Sequence, residues 1–244
     1  MKKKILTVAL VVALLAIMVS GSLAYFTAQD QVTNTFTVGS VKIEIYENDT
    51  ATNETVRNLG VLMPVVAADP STDESYIDKV VDVKNTGASE AYIRTHIGMP
   101  TALVDFLRLD VALEDTDWTY IGATTATVEI DGVNVEYTVY TYDHTAAVPA
   151  GQFTDELLQG VYLRSDVDLE ENADGDLEFI LRDLQTGEKT ATSTFVAHKL
   201  NQDGTYTSAN INILVASEAI QTAGFSGATV ALNSGFGTGT NPWN

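Results

Sequence analysis

The alternation of apolar and polar residues near the start of the chain changes phase at Gly39-Ser40. Before this pair the apolar residues lie at even positions, and after it they lie at odd positions, in Val41, Ile43 and Ile45. A period of two is typical of a β-strand with one buried face. A shift of one residue turns every side chain to the other face of a sheet. One flat strand therefore cannot bury both halves in a single core.

Two interpretations of the phase change remain open at this point. A bulge at Gly39 would re-aim the chain, so that the amino-terminal strand folds back onto its own sheet. Alternatively, Gly39-Ser40 is a pivot between two strands that serve different cores. Asp30 and Asn34 occupy even positions, and burying such polar groups without partners is costly.

The first 24 residues have the pattern of an export signal. Lys2 to Lys4 precede an apolar run, and the small residues Ser22 and Ala24 follow it. A positive start, an apolar stretch and a small-x-small site predict cleavage after Ala24, which would make Tyr25 the first mature residue. We therefore expect a secreted protein that contacts a membrane only through the uncleaved leader. The alternative is a retained anchor, since the run is just long enough to span a bilayer.

Charge and cysteine content exclude several classes of partner. The formal net charge of −20 makes nucleic acid a poor partner, because binding phosphates requires clustered Lys and Arg. Cysteine is absent, so disulfides and thiolate chemistry are excluded. With 45% hydrophobic residues, the chain can build a sizeable core.

Strand and turn signals dominate the rest of the chain. Asn85-Thr86-Gly87 predicts a hairpin joining strands at 76–84 and 91–98, and Asp131-Gly132 predicts a second hairpin. Short helices are expected within 100–109 and 155–159, and a loosely ordered tail from Gly224. The pattern predicts an all-β fold, a two-sheet antiparallel jelly-roll-like sandwich with one or two short helices.

No catalytic or cofactor-binding motif is present. His96, His144 and His198 are isolated in sequence, and no HExxH motif occurs. We therefore expect no resident metal, no cofactor and no catalytic residue. The acidic stretch from Asp166 to Asp176 lacks EF-hand spacing. It is expected to be a solvated loop, with weak surface binding of calcium at most.

Several segments together resemble the TasA and camelysin family of secreted bacterial proteins. They are listed here in chain order: Ser22-Leu23-Ala24-Tyr25-Phe26, Phe36 to Ile43, Val83 to Gly87 followed by Ala91 to Arg94, Glu136 to Tyr142, Val161 to Leu163, and Val215 to Phe225. The resemblance covers most of residues 1–225 and does not extend to the Gly-rich tail.

The resemblance implies a subunit that polymerises into extracellular fibres of a biofilm matrix. In such fibres the mature amino terminus of one subunit fills a groove in the next, which gives a head-to-tail homopolymer. It implies a dedicated signal peptidase as the partner during export. The expected division is a signal peptide (1–24), a donor strand (25–38), a jelly-roll domain (39–225) and a tail (226–244). The donated residues would be Tyr25, Phe26, Ala28 and Val32, with Gly39 and Ser40 as the pivot.

Two other functions fit the same sequence. Camelysin-like relatives are described as surface metalloproteases, so the resemblance also permits an enzyme. A monomeric surface adhesin would keep the fold without any strand exchange.

Overall fold

The computed structural model describes residues 27–30, 41–47, 50–51 and 62–243. The strands are, in chain order, β1 (Thr27–Asp30), β2 (Ile43–Glu47), β3 (Thr50–Ala51), β4 (Ile77–Asn85), β5 (Ala91–Pro100), β6 (Leu107–Val111), β7 (Trp118–Ile130), β8 (Val133–Val148), β9 (Leu158–Leu163), β10 (Val167–Glu171), β11 (Leu177–Arg182), β12 (Lys189–Leu200), β13 (Tyr206–Ser208) and β14 (Leu214–Gln221). One α-helix, α1 (Ala228–Phe236), and 3₁₀ turns at Pro70–Thr72 and Thr101–Leu103 complete the elements of the described residues.

The described strands form three antiparallel sheets. The first sheet has the order β1-β14-β5-β8-β7, and the second has the order β3-β2-β4-β9-β6. A third sheet has the order β10-β11-β12-β13. The chain is 53% strand and 8% helix, and its sheets are arranged like a sandwich. The predicted all-β antiparallel class is confirmed. The described residues contain a third sheet in addition to the two that were predicted.

The core lies between the first and second sheets. Ile93 and Ile97 of β5 are fully buried in the same apolar cluster as Val81 and Val83 of β4. In both strands these residues recur at alternate positions along the chain, as expected for faces that pack on a shared core. The third sheet joins this cluster through its own apolar residues, Phe179 among them.

The two strands on either side of the phase change lie in different sheets. Strand β1 pairs with β14 in the first sheet, whereas β2 pairs with β3 and β4 in the second. The odd residues Ile43 and Ile45 of β2 are buried, as expected. The segment between β1 and Val41, which includes Gly39 and Ser40, lies outside the described residues. The change of phase therefore accompanies a change of sheet.

The two hairpin predictions have opposite outcomes. Asp131 and Gly132 join β7 to β8 with positive φ angles of 52° and 81°, as a type I′ turn requires. In contrast, β4 and β5 do not pair with each other, because they lie in different sheets. Asn85 explains the difference, since its side-chain amide donates to Ser89 O and Val148 O, both at 2.8 Å. These bonds direct the chain across the sandwich.

The helix predicted over 155–159 is absent, and that prediction was wrong. This segment is extended and runs along β4 until β9 begins at Leu158. Leu157 N donates to Val81 O at 2.8 Å, and Thr154 Oγ1 accepts from Val83 N at 3.0 Å. Thr154 therefore satisfies a strand amide rather than capping a helix. The helix expected within 100–109 is reduced to the 3₁₀ turn at Thr101–Leu103.

Two segments that were expected to be irregular are ordered. Within the acidic stretch, Val167–Glu171 forms β10 and pairs with β11, so only Asp166 and residues 172–176 lie outside a strand. The expectation of loose order from Gly224 onward was also wrong. Helix α1 lies there, with Ala231 and Leu232 fully buried. Its apolar residues recur at helical spacing, and this periodicity explains how a Gly-rich segment forms a packed helix.

Candidate functional site

Strand β14 has a partner strand on each side. All eight of its residues pair with β5, from Leu214↔Gly98 to Gln221↔Ala91. On the other side, within the described residues, Ser217–Ile220 pair with β1 in a register that sets Ala28 opposite Ala219. Without β1, β14 would be the edge of the first sheet. Its outer backbone groups would then be a template for another strand.

Both faces of β14 are covered. Ala219 is fully buried in the central core, whereas Ile220 is buried in a separate cluster with Ala228, Ala231 and Leu232 of α1. Successive residues of a strand point to opposite faces, which explains the two environments. The outer edge of β14 is therefore flanked by the central core on one face and by the α1 cluster on the other. We call this edge, defined by Ser217–Ile220 with α1 on one face, the β1 slot.

Polar side chains fix β14 against the centre of the sheet. Ser217 Oγ and Thr95 Oγ1 are 2.8 Å apart, and both side chains are fully buried. His96 Nε2 lies 3.5 Å from Glu218 Oε2, and its Nδ1 lies 2.9 Å from Thr141 Oγ1. Hydrogen bonds to buried polar groups are costly to lose. The side of β14 that pairs with β5 is therefore held by buried hydrogen bonds as well as by the strand ladder.

A buried ion pair lies under helix α1. Arg94 Nε donates to Asp143 Oδ1 at 2.7 Å, and Arg94 Nη2 donates to Asp143 Oδ2 at 3.1 Å. The same guanidinium donates to Gly237 O and to Asn233 Oδ1 at the end of α1. Arg94 therefore joins β5, β8 and the helix, in the fork geometry that favours bidentate pairing.

The end of the chain continues across the first sheet beyond α1. Asn241 Nδ2 donates to Thr124 Oγ1 of β7 at 2.8 Å. The ring of Trp243 meets that of His96 edge to face, with 6.5 Å between centroids. The carboxy-terminal segment therefore packs on the first sheet as part of the subunit. The helical spacing of Ala228, Ala231 and Leu232 is the sequence signal that could have predicted this order.

The three histidines lie in separate environments. His96 belongs to the β14 network, and His198 Nδ1 lies 3.0 Å from Ser208 Oγ in the third sheet. His144 lies near Asp117 and Asp155, with one ligand atom from each residue within 4.8 Å of the others. No other such group of three or more ligand-type side chains is found in the described ranges. The structure thus brings one histidine together with two carboxylates that no local sequence motif connects.

The carboxylates of the acidic stretch are already engaged. Asp166 pairs with Arg164, and Asp168 pairs with Arg182. The hydrogen bond from Arg182 lowers the pKa of Asp168, and the hydrogen bond from Lys189 lowers the pKa of Glu170. Asn172 Oδ1 accepts from Asp174 N and Asp176 N, which fixes the turn. This arrangement agrees with a solvated turn for residues 172–176.

Most residues predicted from sequence to act in export and strand donation lie outside the described residues. These are Ser22, Ala24, Tyr25, Phe26, Val32, Gly39 and Ser40. Ala28 is described, in β1. No helix within the described part of the chain is long and apolar enough to cross a membrane.

Comparison with protein-family models, with curated proteins and with solved structures finds no match to this chain.

Proposed function

We propose that this chain is a secreted structural subunit that polymerises head to tail by donating its amino-terminal strand. The observation that carries the proposal is the position of β1. Among the described residues it is the edge strand of the first sheet and pairs with Ser217–Ile220 of β14, and the next strand, β2, belongs to a different sheet.

The β1 slot can accept the same strand from another subunit. Exchange of an identical element between protomers reproduces the contacts of the single chain, so it requires no new complementary surface. Strand addition at a sheet edge provides backbone hydrogen bonds, and the two covering faces provide specificity. The expected register between subunits is therefore the one within the chain, with Ala28 opposite Ala219.

The connection between β1 and β2 is long enough for exchange. The chain from Asp30 to Ile43, if extended, reaches about 40 Å, which exceeds the diameter of about 30 Å of a small domain. Donation from one subunit to the next does not close on itself, so it generates a filament. Each donated strand also covers an edge that would otherwise aggregate without control.

Export and assembly are coupled in this proposal. Cleavage after Ala24 leaves the new amino terminus immediately before β1. Until then the leader anchors this end of the chain and prevents donation. Without Lys2, Lys3 and Lys4 of the leader the net charge becomes −20 − 3 = −23, which keeps the secreted subunit soluble before it assembles.

The proposal can be tested with cysteines, because the chain has none of its own. Two mature chains are prepared, one with Ala28→Cys and the other with Ala219→Cys, and they are mixed during assembly and oxidised. Residues opposite each other in an antiparallel pair are close enough to form a disulfide. We expect a covalent dimer whose linked peptides, identified by mass spectrometry, contain both cysteines.

The matched control replaces Ala219→Cys with Ser217→Cys, which lies opposite Asp30 and two residues out of register. We expect much less cross-linking with it. Oxidising each single-cysteine variant alone shows how many disulfide-linked dimers form between two copies of the same variant. A double Ala28→Cys/Ala219→Cys chain that links only within itself, with no cross-link in the mixture, would rule out strand exchange.

The same preparation separates the enzymatic and adhesive alternatives. Negative-stain microscopy is expected to show filaments of the mature chain. Proteolysis that a chelator abolishes, in a preparation without filaments, would support the metalloprotease instead. A folded monomer with neither property would support the adhesin.

A further inference from the structure

His144, Asp117 and Asp155 lie where the chain crosses twice between the two main sheets. One crossing leads from β6 of the second sheet to β7 of the first and contains Asp117. The other leads from β8 of the first sheet to β9 of the second and contains Asp155. His144 lies in β8 between them. The three side chains thus meet at one end of the sandwich.

The imidazole of His144 has one nitrogen satisfied and one without a hydrogen-bond partner. Nδ1 lies 2.9 Å from Ala146 O, and a carbonyl oxygen can only accept, so Nδ1 carries the hydrogen. Nε2 is buried and has no hydrogen-bond partner among the described residues. The side chain is 5% exposed. A buried polar atom without a partner is rare and calls for an explanation.

The unpartnered nitrogen faces the two carboxylates. His144 Nε2 lies 3.7 Å from Asp155 Oδ2, too far for a hydrogen bond, and Asp117 supplies a third atom to the group. With its hydrogen on Nδ1, the neutral ring has a lone pair on Nε2. A lone pair directed at two carboxylates is repelled by them unless a cation or a proton lies between.

The surrounding contacts orient His144 and Asp155. Trp118 Nε1 donates to Asp155 O at 2.8 Å, and the ring of Trp118 meets that of His144 edge to face at 5.0 Å. Asp117 N donates to Asp155 Oδ2 at 2.9 Å. Proteins commonly orient a metal-ligating imidazole by a hydrogen bond from its other ring nitrogen to a backbone carbonyl. In His144 that hydrogen bond is the one from Nδ1 to Ala146 O.

We propose that Asp117, His144 and Asp155 bind a divalent transition-metal ion of the zinc type, with water completing the coordination. One nitrogen and two carboxylate oxygens suit zinc, whereas calcium and magnesium prefer oxygen alone. Zinc bonds of about 2.0–2.2 Å place ligand atoms about 3.4 Å apart. In this structure the three ligand atoms lie within 4.8 Å of one another. Because both aspartates are exposed, their side chains can rotate to shorten these distances to the value that zinc requires.

Such an ion would clamp the two crossings together. The chain has no disulfide that could do so, and the crossings are otherwise linked by a few hydrogen bonds, such as Ala112 N to Leu157 O. The site is a structural one, and it does not depend on the proposed strand donation.

The test is zinc titration of the chelator-treated mature chain by calorimetry, in a millimolar calcium background that saturates ordinary surface carboxylates. We expect one zinc ion per chain and a higher midpoint of thermal unfolding with zinc. Asp117→Asn and Asp155→Asn each remove an exposed ligand without emptying the core. Each is expected to weaken zinc binding at least about tenfold.

Matched controls come from the acidic neighbours Glu114 and Glu156, which are exposed and lie outside the group. Glu114→Gln and Glu156→Gln make the same change in charge and should leave zinc binding unaltered. The proposal is overturned if the stripped chain binds no zinc in the calcium background. It is equally overturned if the control variants lose as much affinity as the aspartate variants, because the binding would then reflect diffuse surface charge.

Discussion

The two neighbours of β14 hold it in very different ways. Strand β5 pairs with its whole length and adds buried polar contacts from Thr95 and His96. Within the described ranges, strand β1 pairs with four residues at the outer edge. The first contact belongs to the centre of the subunit, whereas the second lies at a sheet edge. The difference suggests that the inner side of β14 determines stability, and that the outer side is available for exchange.

The largest effect is expected at the centre of the first sheet, from Asp143→Ala in β8, whose partner Arg94 lies in β5 next to β14. Arg94 is 1% exposed and would remain buried without its carboxylate. Removing one partner of a buried ion pair costs about 3–5 kcal/mol. Urea unfolding of the mature chain measures the loss, and complete failure to fold is also consistent with it.

The matched control is Asp168→Ala, which breaks an aspartate–arginine pair at the surface. Asp168 is 57% exposed and bonds to Arg182. Exposed pairs contribute about 1 kcal/mol or less, so the variant should unfold almost as the parent does. If Asp143→Ala lowered the free energy of unfolding as little as Asp168→Ala does, the Arg94–Asp143 pair would not stabilise the centre of the sheet.

The second-largest loss of stability is expected in α1, the helix that flanks the β1 slot. Leu232 of α1 is fully buried in the cluster that contains Ile220 of β14. Leu232→Ala is expected to cost about 2–5 kcal/mol, because it leaves a cavity beside β14. The midpoint and slope of urea unfolding measure it.

Val230→Ala is the control on the same helix, since Val230 is 56% exposed. It should change the free energy of unfolding by less than about 0.5 kcal/mol. If Leu232→Ala were equally silent, α1 would not be part of the packed subunit, and the slot would have only one covered face.

The class of fold could be predicted from the sequence because strand alternation and turn residues are local signals. Asp131-Gly132 is one such signal, and its hairpin is confirmed. Asn85-Thr86-Gly87 gave the same kind of signal, yet the chain crosses to the other sheet there. The bond from Asn85 to Val148 O, 63 residues away, is one cause. Local spacing carries no information about a partner so distant.

The sites were less predictable for the same reason. Arg94 and Asp143 are 49 residues apart, and Arg94 and Gly237 are 143 residues apart. His144 was treated as isolated because Asp117 and Asp155 lie on other elements. By contrast, the phase change at Gly39-Ser40 is a local signal, and the strands on either side of it lie in different sheets. Residue patterns within one strand predicted its local structure. Contacts between segments far apart in sequence could be identified only from the folded structure.

The smallest effect on the subunit is expected from removing β1 itself. A mature chain that begins at Gln31 lacks the four-residue ladder but keeps all eight pairs between β14 and β5. Edge elements open at a small fraction of the global free energy, so unfolding should change by about 1 kcal/mol or less. Filament formation, followed by microscopy, should nevertheless be lost. A truncated chain that failed to fold would place β1 in its own subunit, because a strand that its parent cannot lose is not free to be donated.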